Sequence, residues 1–174
     1  MRLISFEIEE RMRALGYYQI AGGIYGVYAA IQLFIQESTL GGLTMLLYIF
    51  GFSLFGFSIY CGNLLRVANI KGINLSLWNQ IIQVLQFSIS SIAFGYFSGI
   101  RFSFGFDWSD RFIPDFALSL SGFSVGYNTN ATTDFLLMIN GFPLIIIYLL
   151  DKLEDKIEQR KKLIEPDVGK ELNS

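Results

Sequence analysis

Residues 75–100, LSLWNQIIQVLQFSISSIAFGYFSGI, run for 26 positions without a charge, and the reading of this stretch decides the architecture. A helix that crosses a bilayer needs about 20 mostly apolar residues, so the length suits a transmembrane helix. Within the run Asn79, Gln83, Gln86 and Ser90 fall at intervals of four, three and four, which lines them up on one helical face. Lipid does not tolerate a row of amides, so this polar stripe must face protein or water. It reads as a set of inter-helix hydrogen bonds or, alternatively, as the lining of a small polar path. The same run holds Ser91, Gly95 and Gly99 at spacing four, a small-residue face that lets helix backbones approach closely.

Outward from this stretch, three more runs fit a span. Residues 14–36 and 43–65 carry no charge, and 131–150 carries only Asp134 near its start. In the first of these, Gly22, Gly26 and Ala30 repeat the small-residue spacing, and in the second Ser58 and Gly62 do so. The short connection 37–42 makes the first two helices antiparallel neighbours. The first run is too long for the apolar core of a cleavable signal peptide, and no small-residue cleavage site follows it, so it is expected to stay as an anchor. In the fourth run Pro143, within Asn140-Gly141-Phe142-Pro143, removes one backbone donor and clashes one turn back, which predicts a kink.

Charge placement supports a membrane. Only 16% of the residues are charged and 52% are hydrophobic, and the charges come in blocks, as expected where one mid-bilayer charge costs about 2.5–3.5 kcal/mol. With the N-terminus inside, the inner segments hold eleven of the 13 Lys and Arg residues and the outer ones only Arg101 and Arg111. This bias puts both termini in the cytoplasm. The expected fold is thus an all-α integral membrane protein, a four-helix transmembrane bundle with a small extracytoplasmic β-hairpin between the third and fourth helices. Residues 1–152 form the membrane domain, and residues 153–174 a cytoplasmic charged helix and tail.

The outer loop, 101–130, predicts the hairpin. Phe102, Phe104, Phe106 and Trp108 alternate with Ser103, Gly105 and Asp107, and Phe116, Leu118 and Leu120 alternate again. Period two is a strand signature, and Asp110-Arg111 and Pro114-Asp115 supply turn chemistry. The aromatic face must settle at the membrane interface, pack on the helix ends or dock a partner. Asn130-Ala131-Thr132 matches a glycosylation sequon close to the fourth span.

The inner ends are amphiphilic. Glu7–Arg11 and Glu9–Arg13 are spaced i,i+4 and favour a helix leading into the first span. Residues 151–165 read as a charged continuation of the fourth span with a thin apolar seam, ended by Pro166. Their charges are mixed in sign, so the stretch is not expected to be a polybasic lipid patch.

Composition also narrows the function. A net charge of −2 gives no general attraction to nucleic acid. The chain has no histidine and one cysteine, Cys61, so the usual general base and any intramolecular disulfide are missing. Asp107, Asp110 and Asp115 lack the spacing of a calcium loop and form no convincing acid–base pair. No acidic or basic residue interrupts the middle of a span, where ion-coupled carriers usually hold one. These features predict a multi-pass protein of the cytoplasmic membrane that is not an enzyme and needs no cofactor or metal. It would serve as an accessory or scaffold subunit whose partners are lipids and another envelope protein or a second copy. The alternative is a small oligomeric channel or carrier with its polar path along the third span.

Overall fold

A computed structural model describes residues 4–36, 41–89, 92–107, 113–127 and 135–171. The first helix, α1, runs Phe6–Gln36. It starts where the Ser5 hydroxyl accepts the Ile8 amide at 3.4 Å, a side-chain cap for one of the unpaired donors of the first turn. The second, α2, runs Gly42–Arg66 and lies antiparallel against α1. Glycine sets how closely the two approach: a methyl built on Gly16 would lie 2.6 Å from the Gly62 carbonyl oxygen. After α2 the chain reverses through Ala68, at φ 54°, and Asn69, whose side chain accepts the Lys71 amide at 3.0 Å.

Beyond this turn the structure departs from the four-helix bundle. Helix α3, Lys71–Val84, has only 14 residues, about 21 Å at 1.5 Å per residue. The chain then becomes β1, Leu85–Ile89, and β2, Ile92–Asp107. β3, Ile113–Tyr127, and β4, Phe135–Asn140, follow before α4, Gly141–Glu171. The protein is mixed α/β: the described residues form four helices and one antiparallel sheet in the order β1-β4-β2-β3, where β1 also pairs with β2. Among the described residues two helices, α1 and α2, are long and apolar enough to cross a membrane, by length and composition. The expected spans 75–100 and 131–150 are each part helix and part strand.

The reason is in the residues. From Leu85 the sequence alternates, with Leu85, Phe87 and Ile89 on one side and Gln86 and Ser88 on the other. That is period two, and it overrides the helical reading of Gln86. The hairpin of β2 and β3 is also longer than the outer loop suggested, pairing from Ile92↔Tyr127 to Asp107↔Ile113 with a register shift between Phe97 and Ile100. At that shift Gly99 has φ +105°, a conformation that glycine adopts without a side-chain penalty. The bend lets one strand serve two neighbours: Phe94 sits opposite Phe87 of β1, while Ser103 sits opposite Asn140 of β4.

Pro143 makes no kink. Asn140 ends β4, and its side-chain oxygen accepts the Phe142 amide at 3.3 Å, capping a helix that begins at Gly141. Pro143 falls in the first turn, where a missing amide costs nothing.

Beside the apolar Met12 and Ala30 of α1 and Phe55 and Leu65 of α2, the buried faces of both helices carry small and polar residues. α1 buries Gly16, Gln19, Gly22, Gly23 and Gly26 and exposes Ile24, Tyr25, Tyr28, Leu33 and Ile35. α2 buries Ser58, Cys61 and Gly62 and exposes Leu43, Leu46, Ile49 and Phe50. Only 28% and 17% of the most apolar stretches of α1 and α2 are buried.

One apolar cluster gathers Ile8 and Met12 of α1, Leu65 of α2, Ile73 of α3, and Leu150 and Leu153 of α4. It brings the start of α1, the α2–α3 turn and the charged part of α4 to one end of the molecule. A second cluster joins Ala30, Phe55 and Tyr96.

Candidate functional site

Between α1, α2, α3 and the sheet lies a buried network of neutral polar groups. α3 supplies Ser76, Asn79, Gln80 and Gln83, all on its buried face at intervals of three and four. Of the expected polar stripe, Asn79 and Gln83 lie on this buried face of α3. Gln86 lies on β1, buried on the inward side of that strand, and Ser90 lies outside the described residues.

Ser58 is the hub. Its hydroxyl lies 2.9 Å from the Ser98 hydroxyl and accepts the Asn79 side-chain amide at 3.2 Å. Tyr96, fully buried, has one hydroxyl proton to share between the Leu54 carbonyl at 2.9 Å and the Asn79 side-chain oxygen at 3.2 Å. Gln83 donates to the Asn79 carbonyl and accepts the Ser98 amide at 2.7 Å. On the α1 side, Ser76 donates to the Gln19 side-chain oxygen at 3.3 Å, and Ser121 accepts the Gly99 amide at 2.6 Å while donating to the Gly22 carbonyl at 2.8 Å. Three bonds, at Gln83, Ser121 and Tyr18, serve the backbone amides of residues 98, 99 and 100. The network thus satisfies the bend of β2, where the register shift interrupts the ladder.

Arg101 enters this region as well. Its guanidinium donates to the Gln86 side-chain oxygen at 3.0 Å and stacks over the Phe97 ring at 4.5 Å. By sequence it belonged to an outer loop; here it is half-buried in the sheet. Gln19, Ser58, Ser76, Tyr96, Ser98 and Ser121 also belong to the network. Single polar residues in apolar runs carry no signal of which of them meet.

The small-residue positions do different work from helix–helix packing alone. Gly26 meets the Phe55 ring, as an α1–α2 contact. Gly22 instead faces β2: a methyl there would lie 2.5 Å from the Gly99 nitrogen. Gly95 and Gly99 are strand residues, packed against Ser124 and Tyr18. Ser91 lies outside the described residues.

The aromatic residues of the outer loop do share a face. Phe102, Phe104 and Phe106 are 53%, 43% and 45% exposed, beside exposed Ile100, Leu118 and Leu120, while Ser103 between them is buried. Leu118 pairs opposite Phe102, and Leu120 opposite Ile100. Phe116 pairs by backbone with Phe104; its side chain, and Trp108, Asp110 and the sequon at Asn130, lie outside the described residues. Among the described residues β3 pairs on one side only, with β2, leaving its other edge without a strand.

Chemically the network holds and orients. Its members are amides and hydroxyls, and the described residues contain no group of three or more His, Cys, Asp or Glu placed to hold a metal ion. An apolar groove of about 320 Å³ opens where Ala29, Leu33, Leu47, Tyr48 and Phe123 meet, and a smaller pocket of about 190 Å³ opens between α1 and α4 at the charged end. A scan of protein-family models, a search of curated proteins and a search of solved structures each return no match.

Proposed function

We propose that this chain is an integral membrane protein that acts as a non-catalytic scaffold, holding a partner at the exposed aromatic face and free edge of the β2–β3 ribbon. α1 and α2 would cross the bilayer as an antiparallel pair, with their apolar faces toward lipid and their glycine and amide faces inward. The observation that carries the reading is the pairing of Phe102, Phe104, Leu118 and Leu120 on one uncovered sheet face, next to an edge strand. An edge strand in lipid has unpaired amides and carbonyls, which cost several kcal/mol each. The edge must therefore be covered by protein or reach water, and a strand from a second chain covers it best. Arg11 and Lys152 stand together between α1 and α4 beside the apolar cluster of α1, α2 and α4, which supports an inward orientation for both termini.

Site-specific photo-crosslinking in the native membrane tests this. A crosslinker at Leu118 should give one discrete protein adduct, and one at Leu33 of α1 should give lipid adducts. Lipid adducts alone at both positions would remove the scaffold reading.

A second reading, a polar conduit, is favoured by one observation. Both amide atoms of buried Gln80, and the side-chain nitrogens of Gln19 and Asn140, have no hydrogen-bond partner among the described residues. Such groups are normally met by water. Liposome flux separates the two: replacing Gln80 by Leu abolishes solute flux in a conduit and leaves the Leu118 adduct unchanged in a scaffold.

A further inference from the structure

The pocket between α1 and α4 at the charged end has a built chemistry. Arg11, Lys152 and Lys156 stand around it, and Ala14, Leu15, Leu149 and Leu153 form its apolar wall. On α4 the four residues 149, 152, 153 and 156 are one face at intervals of three and four, and on α1 positions 11 and 15 face them one turn apart. Glu7 ties two of the cations together: its Oε1 receives Arg11 at 2.9 Å and Lys156 Nζ at 3.2 Å. Lys152 lies over the Tyr148 ring, 5.8 Å from its centre. Three positive charges thus meet one carboxylate, leaving an excess of positive charge over an apolar wall.

The level of the pocket matters as much as its charge. Arg11 lies just before the uncharged stretch that begins at Ala14, and Lys152 just after the apolar start of α4 ends at Leu150. On both helices the pocket straddles the point where charge gives way to apolar residues. The linear sequence 151–165 is mixed in sign, but folding sorts it and adds Arg11 from the other end of the chain.

We propose that this pocket binds the phosphate of an anionic phospholipid, with the acyl chains lying along Leu15, Leu149 and Leu153. The proposal rests on the membrane-embedded reading above. A phosphate oxygen takes the place that Glu7 now holds between Arg11 and Lys156, and Lys152 closes the site from the next turn. A paired positive charge over apolar wall between two helices suits a lipid headgroup; a free anion would gain nothing from the wall.

The test uses the full chain in nanodiscs of phosphatidylcholine doped with phosphatidylglycerol, with retained lipid read by native mass spectrometry after delipidation in mild detergent. Wild type should keep phosphatidylglycerol in preference to phosphatidylcholine. The combined variant Arg11→Gln, Lys152→Gln, Lys156→Gln should lower that retention about tenfold or more. Lys152→Arg should keep it, Glu7→Gln should raise it, and Lys162→Gln, on the exposed side of α4, should leave it unchanged. Equal retention of both lipids, or an equal loss in Lys162→Gln, overturns the site and leaves the embedded reading standing. Displacement of the lipid by glycerol 3-phosphate would show a free-anion site and overturn the lipid assignment. A chain that stays soluble without detergent and does not enter nanodiscs overturns the embedded reading, and the lipid site with it.

Discussion

The Gln83 side-chain oxygen accepts the Ser98 amide at 2.7 Å, joining the last turn of α3 to the bend of β2. Both groups are buried, and the bond crosses from helix to strand within what the sequence presents as one uncharged run. Replacing Gln83 by Leu leaves the Ser98 amide without its acceptor inside the fold. The expected cost is about 1–3 kcal/mol, read as a lower thermal midpoint in detergent. An unchanged midpoint would mean that water replaces the bond.

Glycine at 22 is a requirement of space. A methyl on Gly22 would fall 2.5 Å from the Gly99 nitrogen and 2.8 Å from its Cα, both backbone atoms that cannot turn away. Gly22→Ala should therefore destabilise by about 1–3 kcal/mol, the usual cost of overpacking. Gly56→Ala, with nothing within 4 Å of the new methyl, should be neutral or slightly stabilising through helix propensity. Equal midpoints for the two variants would contradict the contact between α1 and the β2 bend.

The junction of β4 and α4 allows a similar contrast. Asn140 accepts the Phe102 amide at 3.1 Å and the Phe142 amide at 3.3 Å, so Asn140→Ala should cost about 1–3 kcal/mol. Pro143→Ala should change the midpoint by no more than about 0.5 kcal/mol, because the first turn does not use that amide. A large effect at Pro143 with none at Asn140 would restore a kinked transmembrane helix.

Acid should loosen the contact between α1 and α4. Lys156, beside Glu7, and then Arg11 hold the Glu7 carboxyl below its ordinary value. A carboxyl lowered in the folded state contributes stability above its ordinary pKa and loses it as pH falls through the lowered value. The distance between spin labels on α1 and α4 should therefore grow as pH drops through the carboxylate range, and Glu7→Gln should flatten that dependence. A pH-independent distance in the wild type would remove the ion pair as a tie.

Cys61 offers a probe of the packed state. It is the one cysteine of the chain, and it is fully buried on α2. A water-soluble maleimide should leave it unmodified until the protein is denatured, and Gly22→Ala should speed its labelling. Rapid modification of the folded wild type would place Cys61 at the surface.

Much of the first half of the fold was legible. Residues 14–36 and 43–65 are long and uncharged, with Gly22, Gly26 and Ala30 in the first and Ser58 and Gly62 in the second at spacing four, and they lie within α1 and α2 with those small residues buried. The second half was not, because a bilayer and a buried strand ask for the same apolar composition. Phe135-Leu136-Leu137-Met138-Ile139 has neither period, so length was the only guide, and the run continued into a true helix. At Leu85–Ile89 the alternation with Gln86 and Ser88 was readable, but the helical spacing of Asn79, Gln83 and Gln86 competed with it. Asn140 and Pro143 were read as an interruption when they are the ordinary signature of a helix start, a cap followed by a proline in the first turn. Of the candidate site, the α3 amides and the aromatic face at Phe102, Phe104 and Phe106 could be found from periodicity. The members drawn from other elements, Ser58, Tyr96 and Ser121, could not, since only the folded topology brings them together.

β1 meets its neighbour β4 about fifty residues later along the chain, and β4 also closes on the far half of β2. This sets a timetable for biogenesis. α1 and α2 can pair as soon as they leave the ribosome, since their contacts are local. α3 emerges next with its amides facing inward, yet the strand that completes the ring is made only at residues 135–140. Until then Gln86 lacks its β4 neighbour Met138, and the nascent chain is at its most vulnerable to quality control.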